Sequence, residues 1–344
     1  MTLARTVILC AAAALLIAGV PQPAAADDIG IFETVHISSV SFEDTNNALE
    51  AAIGASGLLL HATHDARLPD DSHQARVYVV TSPAYADAAT AESPRTISAQ
   101  ILRIAVYTWG EQQSTYINMA NPVAHAMVFY ADSPRYDDLV AAAAQAAEEI
   151  RRAAAAVPGR SVSVQAEPLR SEKHYNKYKG DGPARMMAKF RTWQKSQLPI
   201  ATHSADNLDA VVDSVSAALA AGTVADATET TGWEVLTTIR LRDDAVYVGL
   251  TNPYIEDRMV TINSRFRKDG KSESSPYPGV DHLAALPTDL LIVRDGDETL
   301  VLHYGQMWRM QLYFWDSGYR AFTANVGVPS AIAGSIEKAA AGGN

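Results

Sequence analysis

The strongest constraint on this chain is that it states one pattern of strands and helices twice. The stretch "ARVYVVTSPAY" around Val77 returns as "AVYVGLTNPY" around Val246, and "LRIAVYTWGEQQSTYINMANP" is echoed by "DLLIVRDGDETLVLHYGQMW". In each copy a Gly-punctuated amphipathic helix precedes these strands and an Ala-rich helix follows. A diverged tandem duplication of one unit accounts for this most simply.

In the first copy "IFETVHISS" alternates as a strand, and Ser41 with Asp44 marks a capped, acidic helix start. Leu49, Ala52 and Ile53 form the apolar stripe and Gly57 stops the helix. Strands are expected at 58–64, 75–81, 101–109 and 114–119, then a helix over 137–156. The second copy predicts a helix from Ala205 to Gly222, strands at 233–240, 245–250, 289–294 and 299–304, a further strand at 310–315, and a last helix opened by Pro329. The polar, basic stretch "NSRFRKDGKSESSPYPG" is an insertion. The expected fold is α+β: two β-α-β4-α units, each a curved antiparallel sheet with helices on one face, related by pseudo-twofold symmetry. The divisions are a signal peptide at 1–26, a first repeat at 27–158, a basic connector at 159–199 and a second repeat at 200–344.

The "VYVVTSP" strand, the "ESPR" stretch and the strand-turn-strand "ILRIAVYTWGEQQSTYINMANP" resemble the bacterial domain of unknown function 302 family. The resemblance covers the first copy well and the second weakly. It implies a sheet-and-helix layout similar to that of the TATA-binding protein, and no agreed activity. Where family members often carry a Leu-Pro-Cys-like entry to the third strand, this chain has Ala99-Gln100-Ile101 and Leu286-Pro287-Thr288. Any thiol-dependent role in relatives therefore does not carry over.

Arg5, the apolar run Val7 to Val20 and Ala24-Ala25-Ala26 read as a secretory signal cleaved near Ala26, which predicts a periplasmic or secreted mature protein. No transmembrane segment is expected after cleavage. The single cysteine, Cys10, lies within the signal, so thiolate, disulfide and iron–sulfur chemistry are excluded from the mature chain. A composition of 48% hydrophobic and 19% charged residues fits ordinary globular units, and the net charge of −11 opposes non-specific binding to nucleic acid or anionic lipid except through a local cationic face. Against that charge, "RSEKHYNKYKGDGPARMMAKFRTWQKSQ" is basic. Ala184 to Gln197 is expected as an amphipathic helix with Met187, Phe190 and Trp193 on one side, either packed on a unit or docked on an acidic partner or lipid surface.

Two residue sets could hold a metal. "HATHDARLPDDSH" gathers His61, His64, Asp65, Asp70, Asp71 and His73, imidazoles and carboxylates suited to zinc or copper. Spacing on a strand sends His61 and His64 to opposite faces, so they share an ion only if the strand has ended by Thr63. The softer set is Met119, His125 and Met127 in the first copy with His303, Met307 and Met310 in the second, a donor set for copper(I) or haem iron. No cofactor is obligatory.

No nucleophile elbow, zinc-protease helix, phosphate loop or dinucleotide glycine fingerprint is present, and no catalytic residue is assigned. The leading expectation is an exported, non-catalytic binding or accessory protein, monomeric as an internal pseudo-dimer. Its concave sheet, with Tyr107, Trp109, Tyr116, Tyr304 and Trp308 near it, would face a small ligand or an envelope protein. A periplasmic metal or haem handler is the alternative, and an unrecognised enzyme the third.

Overall fold

Both echoes of the sequence fold into antiparallel sheets backed by helices. The structure, a computed structural model, describes residues 28–341 apart from 70–71, 111–112, 178–179, 205–207, 222–231, 263–278 and 317. The signal segment with Cys10, the residues Asp70 and Asp71, the insertion at 263–278 and the expected helix limits Ala205 and Gly222 lie outside the described residues.

The first unit runs β1 (Phe32–Ser38), α1 (Phe42–Ser56), β2 (Leu59–Asp65), β3 (Ala75–Thr81), α2 (Pro83–Ala88), a 3-10 segment Pro94–Gln100, β4 (Leu102–Trp109), β5 (Ser114–Ala120), α3 (Pro122–Phe129), α4 (Tyr136–Ala155) and β6 (Gly159–Gln165). Short helices α5 (Glu172–Asn176) and α6 (Trp193–Ser196) lead to the second unit. That unit runs β7 (Gln197–Ser204), α7 (Leu208–Ala221), β8 (Glu234–Arg242), β9 (Ala245–Thr251), α8 (Pro253–Thr261), a 3-10 segment Val280–Ala285, β10 (Thr288–Asp295), β11 (Glu298–Tyr304), α9 (Gln306–Tyr313), α10 (Gly318–Ala324) and α11 (Val328–Ala341).

The sheet orders are β2-β3-β4-β5-β1-β6 and, from the matching edge, β8-β9-β10-β11-β7. Five strands thus correspond one to one, and β6 is an extra edge strand paired with β1. The echoed Thr-Ser-Pro and Thr-Asn-Pro have one physical meaning. Thr81 and Thr251 end their strands, Ser82 and Asn252 cap the next helix by accepting the N–H of Tyr85 and Ile255, and the proline fills the first turn, where its missing donor costs nothing.

Side-chain alternation gives each sheet two faces. Outward, Tyr78 on β3 donates to Asn46 of α1 at 2.7 Å and Glu33 on β1 pairs with Arg151 of α4; in the second unit His303 lies 3.3 Å from Glu337 of α11. Inward, the two sheets meet each other, with Arg103, Ala105 and Tyr107 of β4 turned toward the second unit and Tyr247, Asp289 and Leu291 toward the first. The 3-10 segment of each unit lies on the other unit's sheet. Asn118 of β5 donates to the Asp281 carbonyl at 2.8 Å, while Gln197 of β7 and Tyr304 of β11 donate to the Arg95 carbonyl at 2.8 and 3.3 Å. Counted back from Leu102 and Thr288, Arg95 and Asp281 are equivalent positions, so the docking is reciprocal.

The structure departs from the sequence reading in three places. The stretch 184–197 is not one helix: it breaks into 3-10 turns Gly182–Met186 and Phe190–Thr192 and the single turn α6, with Lys189 extended between them. Phe190 and Trp193 are buried, but Met187 is exposed. Residues 310–315 are not a strand, because Gly305 starts the helix α9 there. Within 159–199, the ends are sheet strands, β6 and the first turn of β7, rather than linker.

Candidate functional site

At the centre of the seam two strand residues of opposite charge face each other. Arg103 sits opposite Val79 on β3, and Asp289 opposite Gly249 on β9; both partners lie two residues before the threonine that ends their strand. Arg103 and Asp289 therefore hold the same position in the two sheets, and they pair with each other. Gly249 is needed here: a Cβ would come within 2.6 Å of Pro287 and 3.1 Å of Thr237. Its counterpart Val79 has Ile101 where the second unit has Pro287.

The pair organises a buried polar cluster. Arg103 also donates to the Tyr313 hydroxyl at 3.2 Å, and that hydroxyl lies 2.7 Å from His125 Nε2. With its oxygen accepting from Arg103, Tyr313 has its one proton left for His125, which must offer a lone pair at Nε2. Burial, aided by the Arg103 and Arg309 guanidinium groups, holds the His125 pKa well below its ordinary value and keeps the ring neutral. Burial likewise raises Tyr247 far above the usual phenol range and raises Tyr313 against the opposing pull of Arg103. Arg103, Asp289 and Tyr313 are at most 5% exposed. The arrangement compensates charge inside a closed seam.

Arg309 of α9 links the seam to a crevice. It donates to Thr288 Oγ1 at 3.1 Å, Gln306 Oε1 at 3.3 Å and the Ala285 carbonyl at 2.9 Å, while its Nε, without a hydrogen-bond partner, stands 4.0 Å from Asp289. The crevice is bounded by Ile255, Arg258 and Met259 of α8 with Ile262 just after it, by Gln306, Arg309 and Met310 of α9 with Phe314, and by Val328, Pro329 and Ile332 of α11. Its cavity is small, about 30 Å³. Its wall is apolar except for two guanidinium groups and one amide, with no carboxylate among the described lining residues. Arg258 lies over the Tyr254 ring at 5.3 Å, and its buried Nε has no partner among the described residues.

A second junction closes one edge of the seam. His64 of β2 meets Glu256 of α8 at 2.6 Å, and the same carboxylate accepts the Arg67 N–H at 2.6 Å and the Thr251 hydroxyl at 2.7 Å. Burial alone would lower the His64 pKa, but the hydrogen bond and charge of Glu256, with Glu234 and Asp65 behind it, raise it.

The residues expected to bind metal are dispersed. β2 continues to Asp65, so the condition for His61 and His64 to share an ion is not met. His61 contacts Thr81 at 2.8 Å, His64 is held by Glu256, and His73 lies against the Trp109 ring at 4.6 Å. Met119 and His303 are equivalent strand residues on the outward faces of opposite sheets, His125 is in the seam on α3, and Met127 is buried on the same helix. Met307 is half-buried on α9, and Met310 lines the crevice. Among the described residues no group of three or more His, Cys, Asp or Glu is placed to hold a metal ion.

The aromatic set also divides. Tyr107 stacks on Tyr116 at 5.5 Å, near Trp109 at one end of the first sheet. Tyr304 stacks on Trp308 at 5.3 Å, both buried against Phe129 of α3. Neither group lines an open concave sheet, because each inner face is covered by the other unit. Sequence reasoning missed Arg103, Asp289, Arg309 and Glu256. Its available signal was a lone charge near the start of an otherwise apolar strand, in "ILRIAVY" and "TDLLIV".

Comparisons with known proteins add little beyond this geometry. No protein-family model matches the chain, and no curated protein matches it. A crystal structure of an uncharacterized conserved DUF302 protein from Bacillus stearothermophilus is similar at 18% identity and a TM-score of 0.31, covering 37% of this chain and 98% of that one. Among the described residues no helix is long and apolar enough to cross a membrane.

Proposed function

We propose that this is an exported, non-catalytic binding protein, descended from a tandem duplication and closed as an internal pseudo-dimer, that takes a small organic anion with an apolar body in the crevice between α8, α9 and α11. The observation that carries the reading is the crevice wall: two guanidinium groups and an amide in apolar surroundings, with no carboxylate among the described lining residues and Asp289 standing 4.0 Å from Arg309 alone. A carboxylate head would find unpartnered N–H groups there, and its body would lie on Met259, Met310, Phe314 and Ile332. The enclosed space is small, so entry requires the two thioether side chains to swing aside, which methionine does at little cost. The duplication is supported by the matching strand order and by the equivalent capping motifs.

Native mass spectrometry of the mature protein from its own host, followed by calorimetric titration with octanoate, tests this. The expected result is an organic adduct lost on denaturation, or octanoate binding that Arg258→Met weakens about tenfold, the value of one charge-assisted hydrogen bond. A bare mass with no heat of octanoate binding overturns it, and a retained metal or haem moves the protein to the handler reading.

A further inference from the structure

We propose that the loop carrying Met186 and Met187 is a docking tip for an anionic phospholipid surface. The two side chains are 79% and 59% exposed, adjacent, and flanked by exposed Arg185 and Lys189. Lys173, Lys177 and Lys195 are exposed in the same connecting segment, in a chain whose net charge is −11, while Arg191 is paired with Asp132 at 2.8 Å. The nearby acid Asp181 is already engaged, by Arg170 at 2.8 Å and His174 at 3.2 Å.

Exposure here is not the result of a loose loop. Arg170, 2% exposed, donates to Asp181 and to the carbonyls of Gln311 and Leu312 at the end of α9. Gln311 in turn donates to the Ala188 carbonyl at 2.8 Å, and a Cβ at Gly180 would collide with that same Gln311. On the far side Phe190 and Trp193 are buried. The loop is therefore pinned on both flanks to the second unit while its two apolar side chains point into water, an arrangement that wastes their burial unless something else covers them.

The charge pattern selects the occupant. With a net charge of −11 on the whole chain, a cationic tip favours approach to an anionic surface through this face, and the approach fixes the orientation. Protruding flexible thioethers offer a protein partner little flat area, whereas a fluid headgroup layer moulds around them and each nearby cation adds about fivefold to partitioning.

Co-sedimentation of the mature protein with phosphatidylglycerol-containing vesicles and with pure phosphatidylcholine vesicles, at low and high salt, decides the matter. Binding to the anionic vesicles at low salt is expected, lost at high salt, reduced more than twentyfold by Arg185→Glu with Lys189→Glu, and reduced by Met186→Ser with Met187→Ser. All four positions are exposed, and an unchanged melting temperature confirms that the variants fold. No sedimentation with anionic vesicles, or sedimentation undiminished by charge reversal, overturns the proposal. Retention on an acidic peptide matrix without vesicle binding also overturns it and assigns the face to a protein partner.

Discussion

The two sheets share an order of strands but not a charge. At one equivalent inward position the first sheet carries Arg103 and the second Asp289, and the two meet across the seam. Two identical units closed in this way would set arginine against arginine. With Asp289 on the second sheet, that position instead holds a pair that also orients Tyr313 and neutral His125. The same asymmetry extends outward: where the first unit docks its Arg95 carbonyl on Gln197 and Tyr304, the second docks its Asp281 carbonyl on Asn118.

The largest expected effect comes from breaking that central pair. Asp289→Asn leaves Arg103 without its carboxylate and removes the nearest one to Arg309, and should cost about 3–5 kcal/mol in urea unfolding, since the surviving charge stays buried and unpaired. Arg103→Met should cost less, because Asp289 keeps Arg309 near it. If Asp289→Asn unfolds at the wild-type midpoint, the pair is not what aligns the two sheets.

A smaller effect sharpens the contrast between seam centre and seam edge through pH. His64 has a raised pKa, so its contribution is full below the ordinary histidine value of about 6.5 and is lost as pH rises through the raised value. His125 has a lowered pKa, so its contribution is full above about 6.5 and is lost as pH falls through the lowered value. Unfolding midpoints measured across this range should show His64→Gln flattening the alkaline-side loss, by about 1–2 kcal/mol, and His125→Gln flattening the acid-side loss. Identical pH profiles for the two variants would remove the distinction.

The smallest effect is at the rim. The Arg95 and Asp295 side chains form a 2.8 Å ion pair with both partners substantially exposed, worth less than about 1 kcal/mol. Arg95→Ala, which keeps the docked carbonyl, should change stability within that limit, while Tyr304→Phe removes a buried donor to it and should cost more. The reverse ranking in a thermal melt would mean that the side chain, not the backbone, holds the segment.

Much of the fold was legible because it rests on local signals. The strands at 75–81 and 245–251 are nearly continuous apolar runs that end in threonine and lead into a Ser-Pro or Asn-Pro cap, and α1 stops where Gly57 takes a φ of 88°. What was missed lacks such signals. β7 contains Pro199 and lies at a sheet edge with mixed exposure, so neither propensity nor alternation marks it. α9 is capped by Gly305 with no side-chain hydrogen bond, and its bulky aromatics read as strand. The seam itself joins residues 186 positions apart, and no periodicity encodes which lone charge will meet which.

The reciprocal docking of the 3-10 segments has a consequence for the order in which this chain is made. The first unit leaves the ribosome complete in its strands long before Val280–Ala285 and Asp289 exist, with its inner face and Arg103 still bare. During that interval it is a half-molecule with an uncovered inner face, and the first half of a neighbouring copy would cover that face only by setting Arg103 against Arg103. Its yield should therefore depend on how long synthesis holds that face uncovered, rather than on the stability of the finished protein.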